Sequence, residues 1–218
     1  MLPDWTIEDE CAADSPGPIC GIDEAGRGPW AGPVVAAAVI LDRIALPDGI
    51  DDSKRLNATA RARLFDEIMA SAQVGVGIGS VMEIERLNIV HANDLAMARA
   101  LGALGRLPAI ALVDGKWKPK TIAIPVRTVI GGDALSLSIA AASIIAKVTR
   151  DRIMHRLDRE CPGYGWRTNV GYGTREHRDA LTRLGPTCHH RRLWAPVAKI
   201  LETMSEAKES HQDSLITN

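Results

Sequence analysis

The chain has 218 residues, of which 46% are hydrophobic and 24% charged, with a formal net charge of -1 at neutral pH. This size and apolar content suit one well-buried domain and argue against two full domains. The sequence has no apolar run of about 18 residues and no basic start with an apolar core behind it, so we expect no membrane span, no signal peptide and, by default, a cytoplasmic location.

The first feature along the chain is an apolar segment, Ile19–Asp23, that ends on two adjacent carboxylates. The run from Gly21 to Pro29 reads GIDEAGRGP. Two neighbouring acids beside an apolar segment are costly unless a cation compensates them, and the glycines that follow allow a ligand to approach the backbone. The pattern indicates a site that holds metal against phosphate, although a solvated turn at a strand end is the alternative.

Later elements repeat this arrangement of acids at the ends of apolar segments. The strand pattern at Ala109–Val113 ends on Asp114, and a long helical pattern opens at Asp133, where a simple N-cap role is the alternative. Strands that run together before alternating with helices indicate an α/β domain with a mixed sheet. We predict strands at residues 19–23, 34–41, 73–81, 109–113 and 121–126, and helices at residues 59–72, 92–104 and 134–159.

Three further segments have simpler interpretations. The glycines at positions 75, 77 and 79 lack the turn of a dinucleotide-binding fingerprint, so we attribute them to close packing of a strand. Residues 1–16 and 204–218 are polar or acidic and are predicted to be flexible tails. The four irregularly spaced cysteines are predicted to be free, and a zinc site at Cys188-His189-His190 lacks a sufficient set of further ligands.

Charge is distributed unevenly along the chain. Residues 1–24 hold seven acids and no Lys or Arg, whereas residues 147–192 hold eleven Lys and Arg against five Asp and Glu, a balance of +6. Such a basic segment would attract a phosphate backbone. The alternative is a solvated helix face with internal ion pairs, to which we assign about half of these charges.

Several blocks of sequence, in a fixed order between Gly21 and Pro196, carry a resemblance to a known family. They are Gly21–Pro29, Asp52–Lys54 with Leu56, Val113–Gly115, Gly132–Asp133 continuing through 138–151, and Gly163–Gly165 with Gly171–Thr174. In these blocks the chain resembles the type 2 ribonucleases H, and among them bacterial ribonuclease HII. It departs from the pattern at Leu193-Trp194, where we would expect Ser-Phe, and this concerns local packing.

The resemblance implies a ribonuclease H-like fold, a mixed central sheet flanked by helices with a helical C-terminal portion, in a single catalytic domain at 17–203. Phosphodiester hydrolysis needs an activated water and neutralisation of charge, which two divalent ions about 3.5 to 4 Å apart can supply. Hard oxygen ligands suit Mn²⁺ or Mg²⁺. The predicted catalytic residues and metal ligands are Asp23, Glu24, Asp114 and Asp133.

Selection of the substrate must rest on groups that sense a 2′-hydroxyl. In the resembling family, the turn that matches Gly26–Gly28 reads the ribonucleotide, and the Tyr that matches Tyr172 stacks on the next, deoxyribose, sugar. Lys54 and Lys147 would contact phosphate, with solvent or an internal acid pair as the alternative, and partial burial is the alternative for Tyr172. The predicted substrate-binding residues are Gly26, Arg27, Gly28, Lys54, Lys147 and Tyr172.

The predicted function is that of a monomeric endonuclease acting in the repair of DNA. It would hydrolyse the RNA strand of RNA·DNA hybrids and incise 5′ of single ribonucleotides in duplex DNA, leaving 3′-hydroxyl and 5′-phosphate ends. Two alternatives are a non-catalytic hybrid-binding protein and a junction-resolving nuclease of related fold. The related ribonuclease HIII is disfavoured because it carries an additional N-terminal domain, whereas only 22 residues precede Asp23 here.

Overall fold

The computed structural model describes the backbone of residues 2–216 and the side chains of residues 2–205. Within these residues, one mixed sheet of five strands is flanked by helices, which confirms the predicted α/β class. The strands are β1 (Ile19–Ala25), β2 (Val34–Ile40), β3 (Gln73–Gly79), β4 (Ile110–Asp114) and β5 (Val126–Val129). The helices are α1 (Thr6–Asp14), α2 (Ala58–Ser71), α3 (Val81–Gly102), α4 (Leu137–Glu160), α5 (Trp166–Asn169), α6 (Arg175–Leu184) and α7 (Ala195–Ile216), and a 3₁₀ turn spans Gly132–Ala134.

Strand β1 lies at the centre of the sheet, whose order is β3-β2-β1-β4-β5. It pairs antiparallel with β2 and parallel with β4, and β4 pairs parallel with β5. The parallel register places Ile22 opposite Val113. The ends of β1 and β4 that carry the predicted acidic residues therefore lie side by side.

Small residues let the helices approach both faces of the sheet closely. In β2, Ala36 and Ala38 belong to the core cluster with α3, whereas Ala37 and Val39 belong to the cluster with α2 and α4, as the period of two in a strand requires. A Cβ placed on Gly77 would lie 2.0 Å from the carbonyl oxygen of Ala96 in α3. This confirms that the glycine series of β3 serves close packing.

Helix α3 begins eleven residues before its predicted start at Ala92. Ser80 and Glu83 form a capping box in which each side chain accepts a hydrogen bond from the backbone N–H of the other, so the first turn is well satisfied. A kink at Asn88, with φ of 64°, interrupts the helical periodicity on which the prediction depended.

The strand predicted at residues 121–126 was wrong, because β5 occupies Val126–Val129. Thr121 instead donates its hydroxyl to the carbonyl oxygen of Asp94 at 2.8 Å, and Ile122 and Ile124 pack against the core cluster of α3. The segment covers the core as an irregular connection. Because alternate residues of this segment pack against the core, its sequence has the apolar alternation that is typical of a strand.

The N-terminal residues do not form the predicted flexible tail. Residues 6–14 form α1, which is docked on the start of α4 through the buried side chains of Glu8 and Cys11. The hydroxyl of Ser136 and the backbone N–H of Ser138 both donate to Glu8 Oε1, at 2.6 and 2.9 Å. Of the other predicted tail, 204–218, the backbone through Ile216 belongs to α7, while the side chains from position 206 onward lie outside the described residues.

The C-terminal portion is helical, as predicted, and builds a separate hydrophobic cluster. Met154 and Leu157 of α4 pack there with Trp166, Leu181 and Val197 of the three later helices. Ala31, from the loop after β1, belongs to the same cluster, so this portion is tied to the sheet beside the acidic residues. Among the described helices, none has the length and apolarity needed to cross a membrane.

Candidate active site

Three of the four predicted acidic residues meet at one edge of the sheet. Carboxylate oxygens of Asp23, Asp114 and Asp133 all lie within 4.8 Å of one another. Asp23 and Asp133 are 6% exposed, so the cluster is largely buried and does not lie on an open surface. Oxygens at this spacing are the ligands that a hard divalent cation prefers.

The sheet register explains how Asp23 and Asp114 come together. They are the residues that follow the paired Ile22 and Val113 on two parallel strands, so their side chains point to the same face. The 3₁₀ turn Gly132–Ala134 then brings Asp133 beside them, and the backbone N–H of Gly132 donates to Asp114 Oδ1 at 2.7 Å. Asp133 is not the N-cap of α4, because Ser136 caps that helix by accepting from the N–H of Ile139.

The charged forms of Asp23 and Asp114 are disfavoured in the absence of a cation. Burial, followed by the charges of Glu24 and Asp114, raises the pKa of Asp23 well above its usual value. Burial also raises the pKa of Asp114, and the charge of Asp133 adds to the shift. Such perturbed carboxylates in a cleft are typical of functional sites.

The cationic side chain of Lys54 partly compensates the charge of this cluster. Lys54 Nζ lies 2.8 Å from Asp133 Oδ2 and 3.7 Å from Asp52 Oδ1. Burial lowers the pKa of Lys54, but the hydrogen bond and charge of Asp133 outweigh it and raise the pKa overall. Asp23, Asp114 and Asp133 thus fit a divalent ion in both their ligand atoms and their need for positive charge.

Glu24 is placed differently from the other three acids. It follows Asp23 in β1, so its side chain points to the opposite face of the sheet, and Oε1 accepts from Arg27 NH1 at 3.1 Å. Burial raises the pKa of Glu24, while the hydrogen bond from Arg27 opposes the shift. Glu24 still lines the same cleft as Asp23 and Asp114.

The cleft above the acids has a volume of about 320 Å³ and contains every predicted substrate-binding residue. Tyr172 is 48% exposed and presents its ring to this space. Lys147 Nζ forms an ion pair with Asp151 at 2.9 Å, which is the alternative that the sequence left open for Lys147. The cleft is lined by Asp23, Glu24, Ala25, Gly26, Arg27, Gly28, Ser53, Lys54, Asp114, Ser143, Lys147, Arg150 and Tyr172.

A chain of buried histidines holds the backbone of Tyr172. His177 Nδ1 lies 2.9 Å from the carbonyl oxygen of Tyr172, and His177 Nε2 lies 3.1 Å from His190 Nε2. The N–H of Thr187 donates to His190 Nδ1 at 3.0 Å. These partners require His190 to donate through Nε2 and His177 to donate through Nδ1, so both rings are neutral. The arrangement leaves His190 unsuited to the zinc site considered above, and no metal-binding group with Cys or His occurs among residues whose side chains are described.

The sequence interpretation missed two buried residues of the site, Arg150 and Arg191. Arg150 lies at the cleft, and both guanidinium groups contact the loop that follows β1. A signal for Arg150 was present, because it falls on the helical stripe of Ala146, Met154 and Leu157, which are otherwise apolar and buried. Trp194, where the family pattern has Phe, packs locally. Its ring lies against Arg191, with 5.4 Å between the guanidinium carbon and the ring centroid.

Comparisons with known proteins agree with this geometry. A family model described as Ribonuclease HII matches residues 20–197. The chain is 56% identical over 201 residues to a ribonuclease HII of Parvibaculum lavamentivorans, covering 92% of this chain and 74% of that protein. It is 61% identical over 184 residues to a ribonuclease HII of Rhizorhabdus wittichii, covering 84% and 91%. Its fold is similar to the crystal structure of ribonuclease H2 from Pyrococcus horikoshii, with a TM-score of 0.71, 27% identity and coverage of 85% and 97%.

Proposed function

The chain belongs to the ribonuclease HII family of metal-dependent endonucleases that act on RNA·DNA hybrids, and we propose that it also incises duplex DNA on the 5′ side of single ribonucleotides. The products would carry 3′-hydroxyl and 5′-phosphate ends, and the role would be removal of ribonucleotides from DNA. The observation that carries the proposal is the close approach of Asp23, Asp114 and Asp133, the first two of which line one cleft together with the Gly26–Gly28 turn.

The proposed ligands of two divalent ions, Mn²⁺ or Mg²⁺, are Asp23, Glu24, Asp114 and Asp133. Bound ions would supply activation of a water molecule and neutralisation of charge on the transferring phosphate. The protein's own contribution is to hold Asp23, Asp114 and Asp133 close together in a site where the charged forms of Asp23 and Asp114 are disfavoured. A site of this kind favours a cation strongly, because binding relieves repulsion that folding has imposed.

Lys54 and Lys147 are the proposed phosphate contacts. The side chain of Lys54 is 74% exposed, so it can turn from Asp133 towards a phosphate oxygen without disturbing the core. Lys147 is 27% exposed and starts from its pair with Asp151, one helical turn away. Both ammonium groups border the cleft in which the scissile phosphate would lie.

Recognition of the ribose is assigned to the backbone of Gly26, Arg27 and Gly28, with Tyr172 against the following sugar. A Cβ on Gly28 would lie 3.7 Å from Tyr172 Cε1, so the turn and the ring are in neighbouring positions. This spacing supports a preference for a ribonucleotide followed directly by a deoxyribonucleotide. Only the first sugar would then meet the polar groups that can sense its 2′-hydroxyl.

The first experiment is cleavage of a labelled DNA duplex that contains one ribonucleotide, with Mn²⁺ or Mg²⁺. We expect wild type to incise 5′ of the ribonucleotide and to leave an all-DNA duplex intact. Asp114→Asn should lose at least 100-fold in rate, whereas Asp179→Asn, an exposed acid on α6, should match wild type. Cleavage by Asp114→Asn at the wild-type rate would remove the carboxylates from the proposed mechanism.

The same preparation separates the alternatives. A non-catalytic binder would retain hybrid affinity in EDTA and leave every substrate intact. A junction-resolving nuclease would cut a four-way DNA junction that contains no ribose.

We also propose that the protein acts as a monomer, because one chain supplies every proposed site residue. Sedimentation at the assay concentration tests this, and a dimer would contradict it.

A further inference from the structure

Two arginines are buried beneath the cleft without a carboxylate partner. Arg150 and Arg191 are each 1% exposed, and among the described residues neither forms an ion pair. All of the hydrogen bonds that their guanidinium groups donate go to backbone carbonyl oxygens. A structural role alone would not require a charge at these positions, since a buried cation without a counter-ion is unfavourable.

Arg191 holds the turn that is proposed to read the ribose. NH1 donates to the carbonyl oxygen of Arg27 at 2.7 Å, and NH2 donates to that of Gly26. Nε and NH2 also donate to the carbonyl oxygen of Gly32, at 3.1 and 2.9 Å. One planar group therefore fixes both ends of the loop between β1 and β2.

Arg150 connects the same loop to the segment that carries Tyr172. Nε and NH2 donate to the carbonyl oxygens of Pro33 and Ala31, at 3.1 and 3.2 Å. NH1 donates in the other direction, to the carbonyl oxygen of Val170 at 2.9 Å. The backbone N–H of Trp30 completes the connection by donating to the carbonyl oxygen of Gly171 at 2.8 Å.

The environment shows that this arrangement has an energetic cost. Burial lowers the pKa of Arg150 to about 10, and burial together with the charge of Arg150 lowers that of Arg191 to about 9. Lysine could not replace either residue, because a single ammonium group cannot reach carbonyls that lie in several fixed directions. Arginine, with five donors in a rigid plane, can do so.

We infer that Arg150 and Arg191 are positioning residues that set the spacing between the Gly26–Gly28 turn and Tyr172, and thereby determine selection of the ribonucleotide–deoxyribonucleotide junction. This inference rests on the proposed function. The turn and the ring must each meet a different sugar of one strand, so a small displacement of either would affect a junction more than a uniform hybrid. A hybrid whose strand is entirely RNA contains no junction, so its cleavage does not depend on the spacing between the turn and the ring.

The test compares two substrates cleaved by the same preparation. One is duplex DNA with a single ribonucleotide, and the other is a hybrid whose labelled strand is entirely RNA. The ratio of their kcat/KM values is independent of how much of the enzyme is folded and active. We expect Arg191→Lys and Arg150→Lys to lower this ratio at least 10-fold, with Arg183→Lys, an exposed arginine at the end of α6, at the wild-type ratio.

The outcomes distinguish failure of the proposed function from failure of the positioning role of Arg150 and Arg191. A wild-type enzyme that does not incise the duplex with a single ribonucleotide contradicts the proposed function itself. A wild-type preference that both lysine variants retain within twofold overturns the inference and leaves the proposed function intact. Failure of both lysine variants to yield any folded enzyme, judged by circular dichroism, also overturns it, because the arginines would then serve the fold alone.

Discussion

The clustered carboxylates illustrate, at the scale of single residues, a conflict between stability and function. Burial and the charges of neighbouring acids raise the pKa values of Asp23 and Asp114, so the folded protein holds protons that the unfolded chain has released. Their contribution to stability is present at low pH and is lost as pH rises through the raised folded-state values. At neutral pH without metal, the cluster therefore opposes folding.

Removing one charge should stabilise the metal-free protein. Asn at position 114 retains the oxygen that accepts from the N–H of Gly132, so Asp114→Asn in EDTA at pH 7 should gain about 1 kcal/mol, or about 2 to 4 °C in Tm. Added Mn²⁺ should raise the Tm of wild type more than that of the variant. Thermal unfolding checks both expectations, with Asp179→Asn as control. A metal-free wild type that melts above the variant would contradict the electrostatic argument.

Gly26 is a second residue whose identity the site requires. Its φ is +99°, and a Cβ there would lie 2.0 Å from Arg150 Nε. We expect Gly26→Ala to lose about 1 to 3 kcal/mol from backbone strain alone and to displace the turn, with at least a 10-fold loss in kcat/KM. Gly105→Ala is the control, because a Cβ at that position meets nothing within 4 Å. Equal urea unfolding and equal activity of the two alanine variants would show that the crowding at position 26 has no consequence.

The site could be predicted in part, and the reason differs from residue to residue. Asp23 and Asp114 end apolar strands, and parallel strands bring such ends together, so their approach follows from local pattern. Arg150 and Arg191 owe their role to carbonyl groups from distant parts of the chain, which no local pattern encodes. The pairing of Glu24 with Arg27, away from the other acids, likewise depends on which face of β1 each side chain takes.

At the scale of elements, the strongest predictions were those based on long periodic segments. Strands β1, β2 and β3 and helices α2 and α4 lie within a few residues of their predicted bounds. Helix α1, one of the helices that no predicted range covered, has acidic and polar residues on most of its surface and few apolar ones, so it gives a weak helical pattern. It docks through the buried side chains of Glu8 and Cys11, and an acid such as Glu8 is expected from sequence to be exposed.

Glu8 should therefore matter more than any other acid of α1. Glu8→Ala leaves the hydroxyl of Ser136 and the N–H of Ser138 without their acceptor, which we expect to cost about 1 to 3 kcal/mol. Glu10→Ala removes only an exposed pair with Arg127 and should cost less than about 1 kcal/mol. Urea unfolding measures both. The docking role of α1 fails if the two variants are equally stable.

The histidine chain links α6 to the segment before α7 and makes this region sensitive to acid. Burial, followed by the charge of His177, lowers the pKa of His190 to about 3 from 6.5. Between these two values the unfolded chain binds a proton at His190 and the folded protein does not. The contribution of neutral His190 to the free energy of unfolding is therefore complete above about pH 6.5 and decreases as the pH falls towards 3. The shift sets an upper bound of roughly 5 kcal/mol on this contribution.

A variant at this position should flatten the acid response. His190→Gln cannot titrate, so its free energy of unfolding should fall less steeply than that of wild type between about pH 6.5 and 4. His155→Gln, an exposed histidine of α4, should follow the wild-type curve. Urea titrations at a series of pH values give the slopes. If His190→Gln and wild type show parallel slopes, His190 already binds its proton in the folded protein.

At the scale of the whole molecule, the sheet and the C-terminal portion supply different residues of the proposed site. The sheet carries the acids, the C-terminal portion carries Tyr172, and α4 runs from one cluster of the core to the other. We propose that residues 17–203 form one catalytic unit, to which α1 is added as a support for the start of α4. The net charge of -1 would not attract nucleic acid, so attraction must come from the local balance of +6 in residues 147–192.

This local charge predicts a clear dependence of binding on salt. For a few neutralised phosphates, log Kd for an RNA·DNA hybrid should rise against log salt with a slope of about 4, a loss of roughly 250-fold between 50 and 200 mM salt. Lys147→Met should lower the slope by about 1, because Lys147 borders the cleft. Arg106→Met, an exposed arginine on the side of α1, should leave it unchanged. Fluorescence anisotropy in EDTA measures these slopes without cleavage. Equal slopes for all three proteins would mean that Lys147 stays paired with Asp151 in the complex and that the phosphates meet other cations.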